Sequence, residues 1–151
     1  MSPSDAAAGS ALGRFVQAQE PVYGDVVEEL SRGRKASHWI WFIFPQIAGL
    51  GHSWMAERYA ITSLAEARAY LAHPILGDRL RECTSLVLAT SGLTAEQILG
   101  PLDALKLRSC MTLFHRAAPD DPVFPQVLDR FFEGVPDERT DERLSRGPVG
   151  G

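Results

Sequence analysis

Cysteine is scarce in the 151-residue chain: Cys83 and Cys110 are too few for a disulfide framework. Each falls in a helical pattern among apolar neighbours, where a buried reduced thiol is the usual state, and that points to the cytoplasm. Long apolar runs are missing too. Nothing approaches the roughly 18–20 residues that cross a bilayer, and the opening MSPSDAAAGSAL has neither a basic step nor an apolar core, so membrane insertion and export are not expected. Nor is there a basic surplus. A net charge of −4 and a pI near 5.5 speak against nucleic acid as the partner, since phosphate-backbone binders carry excess cations.

Catalytic and ligand motifs are absent as well. The four histidines, His38, His52, His73 and His115, stand 14, 21 and 42 residues apart, so no two share a helical face and no metal site is expected. There is no G-x-S-x-G elbow, and neither cysteine has an adjacent charge partner that favours a thiolate. Gly49-Leu50-Gly51 is half of a dinucleotide fingerprint, without its third glycine or its strand and following acid, and no cofactor is expected.

What the chain does have is hydrophobic content of 45%, ample for one domain with its own core. It is organised around residues 33–59, where a basic step leads into Trp39, Ile40, Trp41, Phe42, Ile43 and Phe44 and then a glycine-flanked turn. Six large apolar residues in a row leave no polar face and must be covered on nearly all sides. Periodicity does not separate strand from helix here: β-branched and aromatic content favours a strand, but a lone strand would have no partner for its backbone groups.

Elsewhere the chain reads as helix. Leu12, Phe15, Val16 and Gln19 form a stripe behind a cap at Ser10, and Gly33 is placed as a left-handed residue that ends a helix carrying Val26 and Leu30. Ser63 to Glu66 and Thr94 to Gln97 have the form of capping boxes. Leu76, Leu80, Cys83 and Val87 give the strongest helical period. From Leu102 to Arg116, Leu102, Leu105, Ser109 and Leu113 mark one stripe and Leu107, Met111 and Phe114 another, so two covered faces are expected. Phe124, Val127, Leu128 and Phe131 form the stripe of the last good helix, stopped by Gly134. The expected architecture is all-α, a compact multihelical single domain of about six to eight helices over 10–134. A disordered tail at 1–9 and a mostly flexible one at 135–151 flank it, with one helical turn after Thr140.

Between 32 and 58 stand Arg32, Arg34, Lys35 and Arg58 against the single acid Glu57, a local positive patch suited to a small anion. Successive N–H groups of Gly49 and Gly51 can face an anion, with Arg34, Lys35, Gln46 and Ser53 adding donors and Trp39 and Trp41 supplying faces for stacking. Lys106 and Arg108 are the nearest comparable cations, and being two apart on a helix they point to different faces. His38 is the candidate acid, base or anion contact, against the commoner role of a hydrogen-bonded structural histidine. Glu20, Asp25, Glu28 and Glu29 lie just ahead of the basic stretch as candidate bases, competing with plain solvated acids. His73, before Pro74, reads as a helix-end residue favoured by the dipole.

With these residues laid out, the chain resembles the bacterial domain of unknown function 1810 family from Arg14 to Leu144. The likeness is carried by RFVQAQEPVY (14–23), GRKASHWIWFIFPQIAGLGHS (33–53), YAI (59–61), EARAYLAHPILGDRLREC (66–83), DALKLRSCMTLF (103–114) and VLDRFFEG (127–134). Two departures are Cys110 in place of the second serine of Arg-Ser-Ser and Leu99-Gly100 in place of Phe-Gly. The family is mainly α-helical, which implies helix for the aromatic run; members are sometimes labelled calpastatin-like, and no catalytic residue carries over. FVQAQ is also similar to the Phe-Gln-Ala segment of the NADAR family, which acts on N-glycosidic bonds of ADP-ribose or related phosphorylated ribosides.

Three functional readings result. One is an enzyme, a hydrolase or N-glycosidase of NAD- or ADP-ribose-related compounds, with His38 or an early acid moving the proton and Arg34, Lys35 and Arg108 on phosphate. The second is binding of a small anionic nucleotide-like ligand in the same pocket without chemistry. The third is a structural or interaction module, such as a self-associating dimer, in which the rings and glycine loop serve packing alone.

Overall fold

The structure is a computed structural model describing residues 3–146. It holds α1 (Pro3–Gln19), α2 (Tyr23–Ser31), α3 (Ile40–Ile43), α4 (Trp54–Arg58), α5 (Leu64–Ala72), α6 (Leu76–Ala89), α7 (Ala95–Leu99), α8 (Pro101–Ala117), α9 (Val123–Phe132) and α10 (Glu138–Ser145). The mainly helical fold is as expected, but the described helices number ten rather than six to eight. The two further helices escaped a reading by period for different reasons. α4 is five residues long, too short to show one. α10 is so polar that it read as solvated tail, yet it lies against α8.

Local signals set most boundaries. Thr94 and Gln97 close a reciprocal capping box at the start of α7, and Pro101 occupies the first turn of α8. Ser63 accepts from the Glu66 N–H at 3.1 Å, but the Glu66 carboxylate accepts from Thr62 rather than from Ser63, so that box is only half closed. Gly33 is left-handed with φ 74, as expected. His73 does more than end α5: its Nδ1 accepts from the N–H groups of Ile75 and Leu76 at 3.1 and 3.3 Å, satisfying donors at the opening of α6. The expected cap at Ser10 is no boundary, because α1 already begins at Pro3; residues 1 and 2 of the expected tail and 147–151 of the other lie outside the described residues.

α8 is the spine, packed against α5, α7, α9, α10 and α3. Leu107, Met111, Leu113 and Phe114 are fully buried on it. A chain of rings crosses the core: Phe15 meets Tyr70 edge-on at 5.1 Å, Tyr70 meets Phe114 at 5.4 Å, and Phe114 meets Phe124 at 5.9 Å. The expected stripe of Leu102, Leu105, Ser109 and Leu113 on α8 is covered only from Ser109 onward. Leu102 and Leu105 stand in solvent, since the first turns of α8 have no helix over that face.

The aromatic run forms one helical turn, α3, with Trp39 and Phe44 as its flanks. Ile40, Phe42 and Ile43 face inward. Gln19 of FVQAQ is buried, donating to the Phe42 carbonyl at 2.7 Å and to the Tyr70 hydroxyl at 3.1 Å, so that segment ties α1 to α3 inside the core. Beyond Pro45, Ile47 and Ile61 form an isolated parallel bridge that fixes the following loop. Among the described residues no helix is long and apolar enough to cross a membrane.

Candidate functional site

The basic step is built around a buried acid. Glu29, 5% exposed on α2, accepts hydrogen bonds from the N–H groups of Ala36 and Ser37 at 2.6 and 2.9 Å, from the Ser37 hydroxyl at 2.6 Å and from the Trp39 indole at 2.9 Å. Burial alone would raise its pKa, but the donors from Ser37, Ala36 and Trp39 outweigh it and hold the carboxyl down to about 2. Glu29 therefore organises the 34–39 loop, and all its acceptor capacity is directed inward.

That loop disperses the expected site. Trp39 is buried, whereas His38 and Arg34 are exposed, and neither lines the cleft that holds Trp41, Gln46 and Lys106. Lys35 is 9% exposed at its side chain: Nζ pairs with Asp103 at 3.0 Å and lies 5.2 Å from the Trp39 ring. Asp103 also meets Lys106 Nζ at 3.3 Å. Two lysines thus share one carboxylate, leaving one surplus positive charge where the 34–39 loop meets the first turns of α8.

Arg108 points away from Lys106, as spacing implied. Its guanidinium donates to the carbonyls of Val135 and Pro136 at 2.8 and 3.1 Å, tying down the segment before α10. That helix docks through Arg116, which forms a two-pronged pair with Asp141 at 2.8 and 2.9 Å, and through Asp137, whose carboxylate caps the helix and accepts from Ser109 at 3.0 Å. Hydrogen bonding from Arg116 lowers the Asp141 pKa.

The docked α10 in turn clamps the glycine loop. Arg139 donates to the Leu50 carbonyl at 2.8 Å and Arg143, one helical turn on, to the Ala48 carbonyl at 3.1 Å. Gly49 sits between them with φ 97, and a Cβ there would stand 2.7 Å from the Arg143 guanidinium. Conformation and the approach of Arg143 both require the glycine. Gly51 likewise leaves room for Ala56, and Ser53 caps α4 by accepting the Ala56 N–H at 3.1 Å.

A cleft of about 540 Å³ opens between this loop, the start of α8 and α10. Five of the expected residues line it: Trp41, Gln46, Gly51, Ser53 and Lys106. Arg34, Lys35, His38, Trp39, Gly49 and Arg108 do not. His52, Arg139 and the Leu102–Leu105 pair belong to it and were not anticipated. Arg139 had no signal, because it arrives from a segment read as loose. His52 sits between Gly51 and Ser53, inside the loop already singled out, and that adjacency could have found it. A second cavity of about 600 Å³ lies beside Arg14, but that guanidinium already donates to the carbonyls of Arg58 and Ala60 at 2.9 and 2.8 Å and approaches Glu66 at 3.5 Å.

The two cysteines are buried, with burial pushing Cys83 up to about 12 and Cys110 well above its ordinary value; neither is poised as a nucleophile. Among the described residues no three His, Cys, Asp or Glu side chains gather as a metal-binding group.

A helical domain, with ten helices among its described residues and an amphipathic cleft beside its spine, is the class that the fold and the site define. The chain belongs to the family described as "Protein of unknown function (DUF1810)", which matches residues 9–144 and so takes in all of α10 but Ser145. The crystal structure of the conserved hypothetical protein Rv1873 from Mycobacterium tuberculosis is similar at a TM-score of 0.88 and 54% identity, covering 89% of this chain and 96% of that one. Neither description carries a calpastatin-like label. Among curated proteins none matches the chain.

Proposed function

We propose that the protein binds a small anionic, nucleotide-like ligand, such as a phosphorylated riboside, in the cleft between the 46–53 loop, α8 and α10. One observation carries the reading: an aromatic ring, Trp41, and two cations from different elements, Lys106 and Arg139, line the same cavity of about 540 Å³. That volume falls in the usual range for small-molecule sites. Trp41 supplies a face for a base or sugar, Lys106 keeps ammonium donors beyond the one on Asp103, and the Gln46 amide and Ser53 hydroxyl supply orientation.

The reading is one of binding, not hydrolysis. His38 is outside the cleft, Glu29 is locked by its donors, and the lining carboxylate, Asp137, caps α10. The N-glycosidase reading would rest on His52 alone.

Thermal unfolding with NAD, ADP-ribose and ribose 5-phosphate tests it. A ligand at about a hundred times its Kd stabilises the native state by about 2.7 kcal/mol, which for a chain of this size raises Tm by roughly 5–10 °C. The rise is expected for at least one of the three and is expected to shrink by more than half in Lys106→Ala and Trp41→Ala. Flat melting curves with all three at millimolar concentration would end the proposal, as would an undiminished rise in both variants.

A further inference from the structure

The cleft has an apolar approach that a compact nucleotide does not use. Leu102 is 72% exposed and Leu105 59% exposed, and both line the cleft. Trp54 is 69% exposed at the start of α4, between the lining residues Ser53 and Ala56. On α8 residues 102, 105 and 109 fall at helical spacing on one face, and all three line the cavity, so this face runs from open solvent into the cleft. From Ala104 onward every residue of α8 except Leu105 is at least partly covered. Here Leu102 and Leu105 stay in water in the same lining as Lys106 and Arg139, and Trp54 is exposed next to the lining residue Ser53.

The charge at the inner end is positive. Lys35 and Lys106 converge on the single carboxylate of Asp103, Arg139 adds a second cation to the lining, and Asp137 offsets one charge while its Oδ2 accepts from Ser109 and the Thr140 N–H at 3.0 Å each. An anion-binding end joined to an apolar strip is complementary to one kind of small molecule.

We infer that the ligand is an amphipathic phosphate ester: its phosphate sits against Lys106 and Arg139, and it carries an acyl or aryl arm that lies along Leu105 and Leu102 toward Trp54. This rests on the anion-binding reading of the same cleft and names the class of molecule that fills it. Burial of Leu102, Leu105 and Trp54 by the arm removes apolar surface of both partners from water, and binding strengthens with arm length until the strip is covered.

The test is a titration by NMR or calorimetry of the full chain with methyl phosphate and with hexyl phosphate, kept below its aggregation limit. Hexyl phosphate is expected to bind at least tenfold more tightly. Tenfold corresponds to about 1.4 kcal/mol, the worth of roughly two methylene groups fully withdrawn from water. A Leu102→Ser/Leu105→Ser variant, altered only at exposed positions, is expected to lose the preference for hexyl over methyl phosphate. Lys106→Ala is expected to weaken both ligands. Equal affinity for the two phosphates overturns the arm while leaving the anion site standing. Binding of hexyl phosphate that ignores Lys106→Ala overturns the amphipathic pairing. A dimer seen by light scattering and dissolved by Leu105→Ser overturns it too, because the strip would then belong to a second copy.

Discussion

Replacing Glu29 by glutamine tests whether a buried charge, rather than shape, holds the 34–39 loop. The carboxylate accepts four hydrogen bonds, three at Oε1 and one at Oε2, and none of these donors is a cation. Its folded-state pKa, about 2, lies below the ordinary 4.5. For a depressed carboxylate, stability is fully present above the unfolded value and is lost as pH falls through the folded one. At about 1.4 kcal/mol per pH unit the gap corresponds to about 3 kcal/mol, of which about two thirds has gone by pH 3. In Glu29→Gln the amide oxygen still accepts from Ala36, Ser37 and Trp39, and the new NH₂ group faces a Ser37 hydroxyl that can turn from donor to acceptor. The loop keeps its partners and loses the charge. Urea unfolding at pH 7, 5, 4 and 3, followed by tryptophan fluorescence and far-ultraviolet circular dichroism, separates the two. Wild type is expected to be about 2–3 kcal/mol more stable than the variant at pH 7, with the difference closing toward pH 3. A constant difference across that range would refute the reasoning, because the other carboxylates titrate identically in both proteins.

Gly49→Ala is expected to destabilise by about 2–3 kcal/mol, from a left-handed backbone angle costing about 1–2 kcal/mol and displacement of Arg143 from the Ala48 carbonyl costing about 1 kcal/mol. In an Arg143→Ala background the second part is already gone, so a double-mutant cycle in urea should show coupling of about 1 kcal/mol; strict additivity would mean that the clamp is not made. Glu133, the described non-glycine residue at positive φ, is exposed at φ 56 where α9 ends. Glu133→Gly is expected to stabilise by about 0.5–1 kcal/mol, read as a Tm rise of a few degrees, and a fall in Tm would show that side-chain contacts outweigh the strain.

Legibility in the sequence followed the range of the interaction. Caps and breakers act within four residues, and Thr94, Gly33, Ser63 and Pro101 could be placed from their neighbours alone. The separation of Lys106 from Arg108 was also legible, since residues two apart on a helix diverge. The aromatic run was not. With six apolar residues in a row there is no pattern to say that Trp39 turns inward to Glu29 while Trp41 turns to the cleft, and the choice is made by a carboxylate ten residues earlier. The glycine loop was seen, but its reason was not, because the group that approaches Gly49 comes from Arg143.

The sequence by itself determined a helical domain of the DUF1810 family, with buried rings and a cationic loop beside them, because helix periods, caps and apolar content are carried by near neighbours and by composition. Only the tertiary structure decided which cations meet. Docking of α10 through Arg116 and Asp141 brings Arg139 over the loop opposite Lys106, while Glu29 and Asp103 draw Trp39 and Lys35 inward. Pairings across such sequence distances depend on how helices cross, and no local pattern encodes that.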